Sequence, residues 1–375
     1  MKIPIAKPFL GKEEAQAAYD TILSGWVTQG PKVKEFEEKF AEYIGAKYAV
    51  AVSSCTTALH LSMVVAEIGA GDEVICPSMS YIATANSIKY VGAKPVFAEV
   101  NEDYNLDLND VKKRITKKTK AILLVHQIGM PADIDSFRTL CNEKGIMLIE
   151  DAACAIGSQY KGTKIGFHSD LVCFSFHPRK VITTGDGGMI ATSNEAYNKR
   201  LKLLRQHGMS VNDRVRHLSE KVILEDHIEI GYNYRMTDFQ ASVGIKQLEK
   251  LDWIIEKRRE IAKRYIEELK GIENIRLPEE KPGYFTNYQS FSIYLKKNFL
   301  MSRDELMQKL LDEGIATRRG IMTAHRETAY KNLSNVVQLP FSEELCDQSI
   351  IIPLYVPMPL EELYHIISTL KKILG

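Results

Sequence analysis

Apolar residues recur along this chain with two periods, one near 3.6 and one near 2, and stretches of the two kinds alternate. Helical spacing runs over Lys12 to Leu23 and Val33 to Ile44, then again over Thr56 to Val65, Ile82 to Val91, Leu108 to Ile115, Ile134 to Glu143 and Glu195 to Gln206. Between these lie short runs rich in β-branched and apolar residues, which predict strands. They are Tyr48 to Ser53, Glu73 to Cys76, Pro95 to Ala98, Ala121 to His126, Met147 to Glu150, Leu171 to Ser175 and Gly188 to Thr192. Strand–helix alternation of this kind predicts an α/β fold with a largely parallel sheet covered by helices on both faces. Ligands of such sheets sit beyond the carboxyl ends of the strands.

The pattern changes after Arg235. Met236 to Leu269 reads as one long helix, interrupted by no Pro and by no Gly except Gly244. A strand over Ser290 to Leu295, a helix over Ser302 to Glu313 and a closing helix over Leu360 to Leu374 then predict a smaller α+β unit. The expected division is a large domain over 1–245 and a small one over 246–375. Pro278 to Gly283 is either a linker or an exposed loop.

The 375 residues suffice for a full core in each unit. With 49 basic against 48 acidic residues, nothing in the charge balance calls for a polyanion or a membrane surface. The six cysteines, at 55, 76, 141, 154, 173 and 346, fall into no zinc-like spacing, so buried reduced thiols and no metal site are expected. The start of the chain lacks an apolar leader and no stretch is long enough to span a bilayer, so a cytoplasmic protein is expected.

Four segments carry candidate chemistry. Ser175-Phe-His-Pro-Arg-Lys180-Val-Ile-Thr-Thr-Gly-Asp-Gly-Gly188 leaves an apolar strand for a Gly-rich turn and offers one lysine there, a setting suited to a Schiff base with an aldehyde cofactor. Asp151, at the end of the strand Met147 to Glu150, is either a cap or the partner of a protonated ring nitrogen. Ser53-Ser-Cys-Thr56-Thr57, between a strand and a helix, is an N-cap or a phosphate cradle at a positive helix end, to which Ser175 would add a hydroxyl. Tyr81, in Pro77-Ser-Met-Ser-Tyr81-Ile-Ala-Thr84, is core packing or a ring that stacks on another aromatic.

In this order the four segments resemble the sugar aminotransferases of the DegT/DnrJ/StrS group. Further landmarks at Gly25 to Pro31, Gly71 to Ile75, Gly92 to Val96, Pro131 to Asp135, Tyr160 to Gly162, Asn233 to Asp238 and Pro353 to Tyr355 extend the resemblance over nearly the whole chain. It implies the fold type I architecture of pyridoxal-phosphate enzymes: a large α/β domain with a mostly parallel seven-stranded sheet and a smaller C-terminal α+β domain. It also implies pyridoxal 5′-phosphate as cofactor, with Lys180 as the Schiff-base lysine and proton carrier, Asp151 on the pyridine nitrogen and Tyr81 stacked on the ring. Thr56, Thr57 and Ser175 match phosphate-binding positions. Asn233 matches an asparagine that reaches the phosphate from a neighbouring subunit, so a homodimer with shared sites is implied.

The implied reaction moves an amino group from glutamate, or glutamine, to a keto sugar carried on a nucleotide. Two departures stand out. Cys154 takes a place near the cofactor's phenolic oxygen where many members carry Gln or His, and a thiol is a poorer donor. Arg318-Arg319 and His325 replace a commoner aromatic and proline-containing segment; the paired arginines are either a diphosphate grip or a solvated basic turn. The arginine that would hold the donor's carboxylate is not singled out, with Arg235, Arg318 and Arg319 as candidates. A sugar dehydratase on the same fold is the alternative enzyme, against which Lys180 argues, since such members carry His there. A non-catalytic ligand-binding regulator is the third reading, and no catalytic residue is missing to favour it.

Overall fold

Glycine 30 and Asp238 explain how the first helices are anchored. The Asp238 carboxylate is fully buried and accepts from three backbone N–H groups at the start of one helix: Gly30 at 2.7 Å, Val33 at 2.9 Å and Lys32 at 3.0 Å. Those donors have no partner inside a helix, and an anion there also meets the positive end of the helix dipole. A Cβ on residue 30 would lie 2.7 Å from the Asp238 carboxylate and 2.7 Å from the Trp26 ring, so only glycine fits.

The structure, a computed structural model, describes residues 2–211, 219–297, 299–331 and 337–375. Chain order runs α1 (Lys12–Leu23), α2 (Pro31–Ile44), β1 (Tyr48–Val52), α3 (Cys55–Val65), β2 (Glu73–Pro77), α4 (Ala83–Tyr90), β3 (Lys94–Ala98), α5 (Leu108–Arg114), β4 (Thr119–Val125), α6 (Ile134–Lys144) and β5 (Met147–Asp151). There follow β6 (Gln159–Tyr160), β7 (Thr163–Lys164), β8 (Val172–Ser175), β9 (Gly188–Thr192), α7 (Glu195–Leu204), α8 (Asp238–Glu249) and α9 (Leu251–Leu269). The last part comprises β10 (Ile275–Arg276), β11 (Tyr284–Phe285), β12 (Phe291–Leu295), α10 (Arg303–Asp312), β13 (Arg318–Arg319), α11 (Thr328–Lys331), α12 (Pro340–Gln348), β14 (Ser349–Ile352) and α13 (Leu360–Leu374).

The main sheet has seven strands in the order β1-β9-β8-β5-β4-β2-β3. Its pairings are parallel from β8 to β3, while β9 runs antiparallel to both β8 and β1. The alternating residues of each strand feed two cores. Ala49, Ala51, Ile122 and Leu124 face α2, α6 and α8, where Phe36, Phe40, Phe137 and Ile245 are buried. Val50, Val52, Ala121 and Leu123 face α3, α4 and α7 on the other side. No helix among the described residues is long and apolar enough to cross a membrane.

A second sheet, β10-β12-β14-β13, is antiparallel throughout and packs against α10, α13 and the second half of α9. Packing changes hands inside α9: Leu251, Ile254 and Ile255 belong to the first core, whereas Ile261, Ala262, Tyr265 and Leu269 belong to the core of this second unit. Ile3 lies in the second unit's core too, donating through its N–H to the Gly314 carbonyl at 2.8 Å.

The single helix expected over Met236 to Leu269 is in fact two, parted at Lys250, which ends the first and precedes the second with φ −97° and ψ −7°. No Pro or Gly marks the break, and its cause is tertiary. Gln247 is buried against the Phe9 carbonyl and Glu14, and Lys250 Nζ pairs with Glu14 at 2.8 Å, which ties the end of α8 to α1. From there α9 is free to turn toward the second unit. The two-residue strands and β14 have no counterpart among the predicted elements; runs this short carry no measurable period.

Removing the Asp238 anchor leaves three buried N–H groups without an acceptor. Asp238→Ala is expected to lower the unfolding free energy by about 2–4 kcal/mol in a denaturant titration.

Candidate active site

Asp151 closes β5 in the middle of the sheet, with its side chain only 5% exposed. One carboxylate oxygen accepts from Thr84 Oγ1 at 2.9 Å and the other from the Ala153 N–H at 3.1 Å. Burial pushes its pKa up, and these two hydrogen bonds, together with the charges of Lys180 and His126, only partly offset that. The preceding residue behaves differently. Side chains alternate along a strand, so Glu150 points to the opposite face, where it meets His126 Nε2 at 2.8 Å and the Ser169 hydroxyl. Burial works against the Glu150 charge too, but His126 and Ser169 outweigh it and hold the carboxyl below its ordinary range.

Lys180 arrives on the loop between β8 and β9. Because β9 turns back beside β8, this loop stays at the carboxyl edge of the sheet, next to the end of β5. It is laced internally: Lys180 N–H donates to the His177 carbonyl at 2.8 Å, and Thr183 Oγ1 and Thr184 N–H donate to the Phe176 carbonyl at 2.7 and 3.0 Å. Gln289 Nε2 donates to the Arg179 carbonyl at 2.9 Å, which fastens the loop to the second unit. The half-buried Lys180 side chain ends with Nζ 3.1 Å from Cys154 Sγ. Burial opposes the ammonium charge, but Cys154, Cys55 and Asp151 outweigh it and the amine is held above its ordinary value.

The third component is the start of α3. Ser54 caps it: Ser54 Oγ accepts from the Thr57 N–H at 3.2 Å, and Thr57 Oγ1 accepts from the Ser54 N–H at 3.1 Å while donating to the Ser54 carbonyl at 2.7 Å. The capping reading and the anion-cradle reading of this segment therefore meet in one place. Thr57 spends its hydroxyl on the cap, whereas the hydroxyl of the half-buried Thr56 is not drawn into it. Ser175 is brought alongside by register, since Ser175 pairs with Gly188 and Gly188 with Val52. Glycine 188 is what allows the approach: a Cβ there would stand 2.4 Å from the Ser54 carbonyl.

The remaining expected residues divide. Tyr81 stands just before α4 and is 64% exposed, so it is not core packing. Asn233 is exposed too, in a segment bridged to Gln206 and adjoining Tyr234, whose carbonyl accepts from the Ser53 N–H at 2.9 Å. Arg318 and Arg319, read as either a diphosphate grip or a solvated basic turn, are both exposed. Both lie on β13, where neighbours point to opposite faces. Arg319 Nη2 pairs with Glu327 at 3.3 Å, while Arg318 feels the charge of Arg179 and the presence of Tyr81. His325 is not available to a substrate either. It is buried, its Nδ1 lies 2.5 Å from the Ser78 hydroxyl and its Nε2 lies 3.1 Å from Glu343, so it docks its segment on the first unit. Thr84, His126 and Gln289 escaped the sequence reading. Thr84 lay within the Tyr81 segment, and the alternation of Glu150 with Asp151 was the available sign that the two acids part ways.

These residues fit pyridoxal phosphate by the chemistry of their donor set. A buried carboxylate lacks a cation to balance it, a lysine amine lies within reach of its charge, and a helix start with a spare hydroxyl offers donors to a phosphate. Known proteins agree. Residues 8–371 match the model of the DegT/DnrJ/EryC1/StrS aminotransferase family. GDP-perosamine synthase of Vibrio cholerae is 38% identical over 353 residues, covering 94% of this chain and 93% of that protein. The PLP form of Spr1654 from Streptococcus pneumoniae superposes with a TM-score of 0.92 at 30% identity, covering 100% of this chain and 98% of that one. PseC of Helicobacter pylori, an aminotransferase of pseudoaminic acid biosynthesis, gives a TM-score of 0.93 at 27% identity over 100% and 99% of the two chains.

The raised pKa of Asp151 has a definite sign. Burial penalises the ionised form, so the penalty is absent at low pH and grows as pH rises through the raised value. Cofactor-free Asp151→Asn is therefore expected to melt above the cofactor-free native chain at pH 8, with the gap closing toward pH 5. The same variant should bind pyridoxal phosphate about 10- to 100-fold more weakly, as read by fluorescence titration.

Proposed function

Because the chain belongs to the DegT/DnrJ/EryC1/StrS aminotransferase family and is a pyridoxal-phosphate-dependent enzyme, we propose that it transfers an amino group from glutamate, or glutamine, to a nucleotide-linked keto sugar. The observation that carries this reading is the convergence of Lys180 and the buried Asp151 at the carboxyl edge of one sheet. When bound, the cofactor supplies an aldehyde that takes up the amino group and a charged ring that withdraws electrons from the carbon losing its proton.

The chain's own residues divide the work. Lys180 Nζ moves a proton between the donor's α-carbon and the carbon that receives it, first as base and then as acid. Its raised pKa means that the amine must shed a proton before it can act as a nucleophile or base. Asp151 holds the proton on the ring nitrogen, and Thr84 and Ala153 keep its carboxylate aimed. The α3 start would hold the phosphate with Thr56 and Ser175, while Thr57, matched to the same role by the resemblance, spends its N–H and hydroxyl on the Ser54 cap. Cys154, hydrogen-bonded to Lys180, would meet the cofactor's phenolic oxygen. Tyr81 offers an exposed ring to stack upon it.

A nucleotide link in the acceptor is supported by the relative whose name specifies a GDP-linked product. Asn233 would complete the phosphate site of a second copy, making a homodimer with shared sites. Support for that comes from the segment leading to Asn233, where Val222 and Leu224, 92% and 88% exposed, and Ile230, 91% exposed, are apolar side chains that a partner would cover. With six free cysteines, two of them beside Lys180, the proposal places the enzyme in the reducing cytoplasm.

Borohydride reduction of the holoenzyme followed by peptide mapping should place the cofactor label on Lys180. Lys180→Ala should lose transfer of labelled nitrogen from glutamate to a panel of nucleotide-linked keto sugars by at least roughly 1,000-fold. A label on another residue, or undiminished transfer in that variant, would overturn the assignment.

A further inference from the structure

Three of the four buried side-chain atoms without a hydrogen-bond partner among the described residues line one cavity. They are Gln29 Oε1, Asn198 Oδ1 and Arg205 Nε, and Asn198 and Arg205 are only 8% and 4% exposed. Buried polar atoms are rarely left unpaired, so three in one place mark a spot shaped for a polar occupant. The cavity, of ≈ 470 Å³, follows the outer edge of β1 between α2 and α7, with Tyr48 and Ala49 also in its lining. Because β1 is the last strand of the sheet, alternate residues turn their N–H and C=O outward. At Ala51 both groups are taken: the N–H donates to Glu37 Oε1 at 2.9 Å and the carbonyl accepts from Arg205 Nη1 at 2.7 Å. Two residues earlier, buried Ala49 turns the same pair along this edge, and neither group is bonded among the described residues. Charge is uneven as well, with Lys34, Lys47, Lys202 and Arg205 against Glu37 and Glu38. Arg205 and Lys202 share Glu37, and Lys34 pairs with Glu38 at 3.5 Å. Exposed Lys47 is left without a carboxylate among the described residues, its Nζ 5.3 Å from the Tyr48 ring centre.

We propose that this cavity is a second ligand site, apart from the amine and carboxylate, and that it takes a nucleoside monophosphate. Every nucleobase sets a donor beside an acceptor on its edge, which complements the outward N–H and C=O of Ala49. The amides of Gln29 and Asn198 extend that recognition, and the half-buried Tyr48 ring offers a face for stacking. The surplus of cations suits the phosphate. Neither half of such a ligand would serve alone. Free phosphate would meet the lysines and leave Ala49, Gln29 and Asn198 unpaired, while a neutral nucleoside would leave the cationic rim unanswered. The volume is that of a small-molecule site, about 300–1,000 Å³. Strand register sets the distance from the catalytic edge. Gly188 pairs with Ser175 and Val52 beside the α3 start, whereas Ala49 pairs with Ala191, three residues along β9 and so about 10 Å further down the sheet.

Calorimetric titration of the holoenzyme with the four common nucleoside monophosphates tests this, with the matching nucleosides and inorganic phosphate as separate arms. At least one nucleotide should bind about 10-fold or more tightly than its nucleoside and than phosphate. Asn198→Leu removes a buried amide oxygen that has no partner, so it should melt no lower than the native chain. The same variant should weaken the best nucleotide about 10- to 100-fold. Lys47→Gln, on the exposed rim, should weaken the nucleotide about 3- to 10-fold and leave the nucleoside within about 2-fold. A photoactivated azido derivative of that nucleotide should label peptides from α2, β1 or α7 in the native chain and lose that label in Asn198→Leu. Absence of nucleotide binding overturns the proposal, and so does phosphate binding as tightly as the nucleotide, which would leave an adventitious anion only. Undiminished affinity in both variants, or a label confined to the lysine loop or β13, would put the nucleotide at the catalytic edge instead and overturn it equally.

Discussion

A carboxylate withdrawn from water at the end of the central strand governs the rest of this structure. Ionised Asp151 is costly where it sits, since two hydrogen bonds and the charge of Lys180 do not fully offset burial. An unfavourable charge of this kind is useful in an enzyme whose cofactor carries a ring nitrogen that must stay protonated. On the proposed reading the protonated ring would balance that charge, and the cost of burial would become affinity and electronic control. Glu150, one residue earlier, shows the contrast. Its charge is balanced within the protein by His126 and Ser169, and it faces away from the site. Two adjacent acids thus serve opposite ends, one closed and one waiting.

The topology follows from bringing an amine to that carboxylate without letting either move. Placing β9 antiparallel between β8 and β1 folds the lysine loop back over the edge where β5 ends. The same register sets Ser175, Gly188 and Val52 side by side, and the missing side chain of Gly188 lets the α3 start close on them. Amine, carboxylate and anion cradle are therefore consequences of one arrangement of strands. The second unit adds a clamp through Gln289 on the Arg179 carbonyl and a cationic wall through Arg318.

Most of the first unit was legible because its strands and helices are long enough to show a period and are buried on known faces. Lys180, Asp151 and the α3 start were legible for another reason: each lies at a junction, where the hydrophobic pattern stops and small or charged residues take over. What escaped depended on neighbours far away in sequence. The break at Lys250 is set by Glu14 and Gln247 contacts with the opening segment, and β13 is two residues long. The paired arginines stayed open between a joint grip and a solvated turn because adjacency in sequence does not reveal a strand, which sends successive side chains apart. His325 was a substrate-binding candidate only because its segment departs from the family's commoner one. Its burial against Ser78 and Glu343 depends on a chain crossing that no local pattern encodes.

The proposed homodimer would bear on one side of the site. Tyr81 and Asn233 are exposed, although residues that meet a cofactor are usually screened from water when they act. The exposed apolar side chains of Val222, Leu224 and Ile230 precede Asn233 in the same segment, which is too apolar there to be a favoured solvent face. Hydrophobic burial of those side chains against a second copy would carry Asn233 with it, so that association and completion of the phosphate site become one event. Chemistry would then be coupled to assembly: the energy that joins two chains also orders the last donor. The rigid half of the site, from β5, β8 and α3, needs no such help, since its positions are fixed by the sheet. The division of labour would then be physical, with strands supplying precision for the amine and carboxylate and a partner's segment completing the site.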